Sequence, residues 1–414
     1  MPISAPLAPD VASDVAPDAA DPLVESVPTR HGVARVPSID VLRGLVIALM
    51  VLDHVREYFS SDALAFSPTD LARTTPALFA TRWVTHLCAP TFVFLAGVAV
   101  FLQRMNARRR GEVARFLCTR GAWLIVLEST LVAFGFHFAV PFVFFQVIWA
   151  IGLGMVLLAP LLWLPPTVVL ALGALLVAGH DALAVVDADH FGRWALLWRL
   201  LMAPGPATPL PGFVAYPALP WFGVLCLGYG AGPVFRRPPA ERRACITALG
   251  AGALVLFVLL RLWNGYGDPA PWHAQPTAVF TALSFVNVSK YPPSLQFTLL
   301  TLGVSLLLSL PLEQMRGLVA RVLLAFGRTP MFTYLVHIYL VHGLAMAVGV
   351  VLGFPAGAFT HFLDGPGRLQ AVHWGFGLPV VYGVWFLVLA ALYPLARAYV
   401  ALRRSRRAWW MSYI

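Results

Sequence analysis

Two groups suited to acyl or proton transfer, Arg43 and His54, lie eleven residues apart in the first apolar segment, Ser38 to Phe59. Eleven residues of α-helix return to within about 20° of the starting direction, so both side chains share a face. Asp40, Ile47, Met50 and Glu57 lie on the same face. The helical rise puts His54 roughly 16 Å beyond Arg43, near the middle of a hydrocarbon layer about 30 Å thick. An ionisable group at that depth is costly and marks function by default. A neutral imidazole there can take a proton from an attacking hydroxyl or amine and later return it. A guanidinium at the rim can grip phosphate through charge-assisted hydrogen bonds. Asp53 adjoins His54 in sequence but points about 100° away, so it does not easily orient that ring from within one helix. Asp40 and Arg43, three residues apart, can pair near the helix entry that Pro37 and Ser38 mark. The competing reading of His54 is a packing histidine bonded to a neighbouring helix, and the charges on its face weigh against it.

Other candidates are spread along the chain. Tyr334 and His337 share a helical face in the segment from Phe326 to His342, whereas His342 points elsewhere. Arg82 and His86 stand four apart at the start of the second apolar segment, and Glu128 sits deep in the third, with His137 at its end. A mid-span carboxylate needs a partner or a proton. Lys290 is the only lysine against 28 arginines, which suggests a site that wants a compact, rotatable ammonium; an interface anchor beside Tyr291 is the alternative. Asn287-Val-Ser289 matches a glycosylation sequon, a weak signal by itself. The sequence holds no GxxxxGK[ST], HExxH or GxSxG motif and no CxxC pair among its four cysteines. P-loop, zinc-protease and α/β-hydrolase chemistry are therefore unsupported, and no metal is expected.

The elements that must position these groups are membrane spans. Hydrophobic residues make up 59% and charged residues 12% of the chain, outside the balance of a soluble domain. An all-α, polytopic membrane fold follows, with ten apolar stretches near 40–58, 83–103, 115–136, 140–163, 165–180, 216–235, 243–263, 294–311, 329–352 and 374–397. With both termini in the cytoplasm, 21 of the 29 basic residues fall on the inner side, in stretches such as Arg104 to Arg120 and Arg397 to Arg407. This clustering between spans also argues against a nucleic-acid partner despite the net charge of +10. Residues 1–36, rich in Ala, Pro and Asp, read as a disordered acidic tail without a signal peptide. The spans occupy 37–402, and a basic tail covers 403–414. The outer loops 59–82, 181–215, 264–293 and 353–373 are long and carry Trp272, His273, His361 and Asp364, which suits an external binding surface.

The stretch from Arg35 to Val55, followed by Cys88 to Leu102, resembles the catalytic domain of the heparan-α-glucosaminide N-acetyltransferase family, including its uncharacterised bacterial branch. Lys290 to Gly303 resembles the bacterial members, and the Gly327, Tyr334 and His337 spacing fits as well. The Arg43-to-His54 spacing also looks like the first helix of broader membrane acyltransferases that acylate extracellular glycans. The resemblance implies a multi-pass protein of a bacterial inner membrane that moves an acetyl group from cytoplasmic acetyl-CoA to a carbohydrate or envelope glycan outside. Its partners would be acyl-CoA, the glycan and the lipid bilayer, and a homodimer is left open. On this reading His54, Asp53 and His337 are the catalytic candidates, and Arg43, Asp40 and Arg120 would bind the CoA. His86, Tyr334, Lys290 and Glu57 would meet the acceptor. The lysosomal family member carries Asn at the position of His54 and its proposed catalytic His in the following loop. This chain has no His between His54 and His86, so that role does not carry over directly. A proton-coupled transporter with Glu128, His54 and His337 as relay groups is the alternative, and a non-catalytic scaffold would leave the polar face of the first span unexplained.

Overall fold

The computed structural model describes residues 37–107, 109–183 and 186–406. The acidic tail expected at 1–36 and the end of the basic tail, 407–414, lie outside the described residues. In chain order the helices are α1 (Pro37–Phe59), α2 (Ser61–Ala65), α3 (Pro76–Val84), α4 (Cys88–Asn106), α5 (Arg110–Leu127) and α6 (Ala133–His137). There follow α7 (Val147–Leu158), α8 (Pro166–Gly179), α9 (Ala195–Leu201), α10 (Ala218–Ala231), α11 (Pro239–Trp263) and α12 (Ala278–Val286). The last are α13 (Leu295–Leu312), α14 (Gly317–Arg328), α15 (Pro330–Val351), α16 (Gly367–Ala371) and α17 (Leu378–Ser405). Three short strands, β1 (Val143–Phe145), β2 (Gly205–Pro206) and β3 (Gly212–Val214), form a small sheet in the order β1-β3-β2. In it β1 runs parallel and β2 antiparallel to β3.

Among the described residues, seven helical runs are long and apolar enough to cross a membrane, and the protein is an all-α integral membrane protein. Two further apolar helices, Val147–Trp163 and Pro166–Ala182, are shorter. α1 is long enough but carries Asp40, Arg43, Asp53, Arg56 and Glu57. It escapes lipid by running through the interior, packed by α4, α13, α14, α15 and α17. Val46, Ile47, Val51 and Val55 are completely or almost completely buried there. By contrast α11 and α17 lie at the periphery, with Leu259, Leu262, Phe386 and Leu387 exposed. Outward apolar residues are what a hydrocarbon solvent accepts.

The fourth apolar stretch differs from expectation. Residues 140–163 do not form one helix: β1 comes first, and α7 begins only at Val147. The chain breaks there because Pro141 cannot extend a helical ladder, and β3 satisfies the extended backbone of β1 instead. The third stretch, 115–136, lengthens to Arg110–His137 and widens into a π turn at Glu128–Val132. The second begins earlier than expected, since α3, a 3₁₀ turn and α4 make one run from Pro76 to Asn106.

Close helix crossings fix α1 in place. A Cβ at Gly44 would collide with the Leu323 carbonyl on α14, and one at Gly327 with the Asp40 carbonyl on α1. Only two glycines facing each other permit that approach. α14 itself is amphipathic, burying Ala320, Leu323, Phe326 and Gly327 while exposing Leu318 and Val319.

Candidate active site

α1 presents its polar residues at two levels. At its N-terminal end Arg43 Nη1 lies 3.3 Å from Asp40 Oδ1 and 3.4 Å from the Gly327 carbonyl. The Gly44/Gly327 crossing brings that carbonyl within reach. Near its C-terminal end, His54 Nδ1 lies 2.9 Å from Glu57 Oε2. An ionised carboxylate only accepts, so Nδ1 carries the hydrogen and Nε2 keeps a lone pair. In the neutral ring the tautomer is thereby fixed, with Nε2 able to accept a proton. Glu57, expected to meet the acceptor, is thereby the partner of His54 as well.

α15 brings in the next group. The His337 ring stands 5.2 Å from that of His54, centroid to centroid, and Phe136 packs edge-on against His54 at 4.9 Å. His337 Nδ1 donates to the Thr333 carbonyl at 3.2 Å, which leaves Nε2 as an acceptor. That atom is buried and has no hydrogen-bond partner among the described residues. Tyr334, one turn earlier, donates to Gln146 Oε1 at 3.3 Å. The two histidines, far apart in sequence, meet only through the packing of α15 on α1.

Two cavities flank this pair. The first, of about 310 Å³, is lined by Arg43, Gln103, Arg120, Met50, Ile148 and Tyr334, among mostly apolar walls. Three of the expected site residues (Arg43, Arg120 and Tyr334) are thus brought to one cavity, although they come from α1, α5 and α15. The second, of about 430 Å³, is lined by Arg56, Glu57, Arg82 and Gln370 with Ser67 and Phe66. Along α1 the first cavity reaches Met50 and the second begins at Arg56, so His54 falls between them. A mostly apolar cavity with two guanidiniums in its lining could take an acyl-pantetheine arm, the guanidiniums meeting its phosphates.

Asp53 faces away from the His54 ring and takes a different set of partners. Arg82 Nη1 donates to both of its oxygens at 2.7 Å, Arg56 Nη2 donates at 2.8 Å and Thr85 Oγ1 at 2.9 Å. The carboxylate therefore ties α3 to α1 and holds both arginines at the wall of the second cavity. Lys290 is buried beside this cluster, its ammonium 5.0 Å from the Tyr291 ring and 5.9 Å from that of Tyr216. His86 is buried too, edge-on to Phe297 at 5.5 Å, and its Nδ1 has no hydrogen-bond partner among the described residues. Neither Lys290 nor His86 lines either cavity.

Glu128 finds its partner in the backbone. Trp149 N–H, in the first turn of α7, donates to Glu128 Oε2 at 2.9 Å. The first N–H groups of a helix have no partner within it and form the positive end of its dipole. The carboxylate caps a helix that starts within the bundle. His137 takes part in a second polar group with His361 and Asp364. The Leu363 N–H donates to His137 Nδ1 at 3.1 Å, so the neutral ring holds its proton on Nε2, facing Asp364 Oδ1 at 4.0 Å. Hydrogen bonding accounts for this arrangement, which straps the 353–373 loop to the end of α6. Asn287 spends its side-chain amide on the Thr69 carbonyl at 3.0 Å.

Sequence reasoning missed Gln146 and Arg261. Gln146 precedes α7 and holds the Tyr334 hydroxyl. Arg261 is buried at the end of α11 and donates to the carbonyls of Ala270, Ser284, Phe285 and Asn287 and to Gln296 Oε1. It organises the 264–293 loop and caps the end of α12. Asp268, seven residues on, was the available signal, since the two approach to 3.9 Å.

Residues 35–260 match the family model described as heparan-alpha-glucosaminide N-acetyltransferase, catalytic. That is more than half of the chain. The protein belongs to this family. No curated protein matches it. The family match takes in α1, Arg82, His86, Arg120 and Glu128 and ends within α11, while Lys290, Tyr334 and His337 lie beyond it. Membership in a family of membrane acetyltransferases fits the arrangement around His54; neither it nor the packing favours a transporter.

Proposed function

We propose that the protein is a transmembrane acetyltransferase that moves an acetyl group from acetyl-CoA to a hydroxyl or amine of a carbohydrate or envelope glycan. The thioester enters from the cytoplasm into the Arg43 cavity, and the acceptor enters the Glu57 cavity from the other side of a bacterial inner membrane. The observation that carries this reading is the position of His54, between two cavities at opposite ends of its own helix.

Arg43, with Asp40 beside it, and Arg120 hold the phosphates, where bidentate guanidiniums bind best. The apolar walls take the pantetheine arm. His54 Nε2 removes the acceptor proton as the acceptor attacks the thioester carbon, and Glu57 stabilises the imidazolium that forms. Arg56 and Arg82, held by Asp53, offer donors to the acceptor's oxygens, and Lys290 and His86 support that wall from behind. Tyr334, turning its hydroxyl from Gln146, would donate to the developing oxyanion.

His54→Ala tests the reading. Loss of a general base costs roughly 10²–10⁴-fold in rate. The variant should lose acetyl transfer to that extent while still being stabilised by CoA in a thermal-shift titration. Near-normal turnover would reduce His54 to a packing residue. Arg43→Ala should weaken that CoA stabilisation and Arg43→Lys restore it only partly; unchanged binding would remove Arg43 from the site.

A further inference from the structure

The His54 and His337 rings stand 5.2 Å apart, centroid to centroid. Each Nδ1 is committed, to Glu57 on one side and to the Thr333 carbonyl on the other. His337 Nε2 then remains buried without a partner among the described residues. An orphaned buried polar atom is costly, so its presence calls for an explanation. Neither imidazole lines a cavity itself, and the pair sits between the two. Tyr334, one turn before His337 on α15, lines the apolar cavity, whereas Glu57, one turn after His54 on α1, lines the polar one.

We propose that His337 is a second catalytic residue, which delivers the proton to the departing thiolate while His54 takes it from the acceptor. The inference rests on the acyl-transfer reading above. The acceptor oxygen or nitrogen forms a bond to the thioester carbonyl carbon, and the carbon–sulfur bond breaks with its electron pair going to sulfur. The acceptor proton passes to His54 Nε2, then to His337 Nε2, and ends on sulfur. Atoms and charge balance without a further reactant. A free thiol has a pKa near about 8.5 in water. Burial in an apolar cavity penalises the thiolate further, so a proton donor on the CoA side lowers the barrier to its departure.

The test varies the leaving thiol. With the full chain in lipid nanodiscs, thiol release is followed with glucosamine and with methyl glucoside as acceptors. The donors are acetyl-CoA and the acetyl thioester of an acidic aryl thiol, which leaves without protonation. His337→Gln and His337→Asn should lose about 10²-fold with acetyl-CoA and less than about tenfold with the aryl thioester. His54→Ala should be impaired with both donors. Equal losses with both donors in the His337 variants would make His337 structural and overturn the proposal. CoA-induced thermal stabilisation checks that the variants fold. Should neither fold, the unaltered protein decides: its rate should depend only weakly on the acidity of the leaving thiol across a series of thioesters, and a steep dependence would refute the relay. Failure of the unaltered protein to transfer acetyl to either acceptor would sink the acyl-transfer reading itself, and the relay with it.

Discussion

On the acyl-transfer reading, Glu57 converts His54 from a polar residue in an apolar helix into an oriented base. The 2.9 Å contact to Nδ1 fixes which nitrogen faces the acceptor. Glu57→Gln keeps the size of the side chain but removes its charge, and its amide can donate into Nδ1 and reverse the tautomer. The expected outcome is a loss of roughly 10²–10⁴-fold in turnover with CoA-induced stabilisation unchanged. Retained turnover would show that His54 needs no orienting carboxylate. Asp53, its neighbour, should behave in the opposite way. Removing one member of a buried ion pair costs about 3–5 kcal/mol, and Asp53 is the shared partner of Arg56 and Arg82. Asp53→Asn should therefore lower the thermal midpoint clearly. A variant that melts normally yet turns over slowly would return Asp53 to the chemistry. On this reading Asp53 and His54, adjacent on one helix, divide stability from catalysis because they point to different neighbours.

The elements explain which parts of this arrangement were legible in the sequence. Arg43, His54 and Glu57 lie on one helix, where the period of 3.6 residues dictates their shared face. Tyr334 and His337 were legible for the same reason. What was hidden lies between elements: Arg82 reaching Asp53, Gln146 holding Tyr334, and the α7 N-terminus meeting Glu128. Sequence spacing carries no information about such pairs. Hydropathy likewise marked residues 140–163 as apolar without revealing the strand that replaces the first turns of a helix. The helix crossings provide their own prediction. Gly44→Ala would push a Cβ into the Leu323 backbone carbonyl, which has nowhere to turn. A Cβ at Gly303, on α13, would instead first meet the flexible end of Leu254 at 2.8 Å. Overpacking costs about 1–3 kcal/mol, so Gly44→Ala should be the more destabilising of the two and should also weaken CoA binding at the adjacent Arg43. Equal melting temperatures for the two variants would contradict the crossing.

At the scale of the molecule, α1 is the axis on which both cavities hang, and its charged residues survive because other helices, not lipid, surround them. The basic residues give that axis a direction. Arg43 and Arg120 line one cavity, Arg43 contacts the Gly327 carbonyl, and Arg403 donates to the carbonyl of Arg328 at 3.2 Å. α1, α5, α14 and the end of α17 therefore bring arginines together at the Arg43 end. Positive charge is retained on the cytoplasmic side of short loops, so on the proposed reading that end faces the cytoplasm and the Glu57 end the opposite side. Reporter fusions after Arg110 and after Pro269 should then report opposite sides of the membrane. Sealed vesicles provide the functional counterpart, because CoA thioesters do not cross a bilayer unaided. Inside-out vesicles should use acetyl-CoA added from outside and acetylate only acceptor trapped within, and right-side-out vesicles should require the reverse loading. Transfer with donor and acceptor confined to the same side would mean that the two cavities open onto one compartment, and the path along α1 would have to be abandoned.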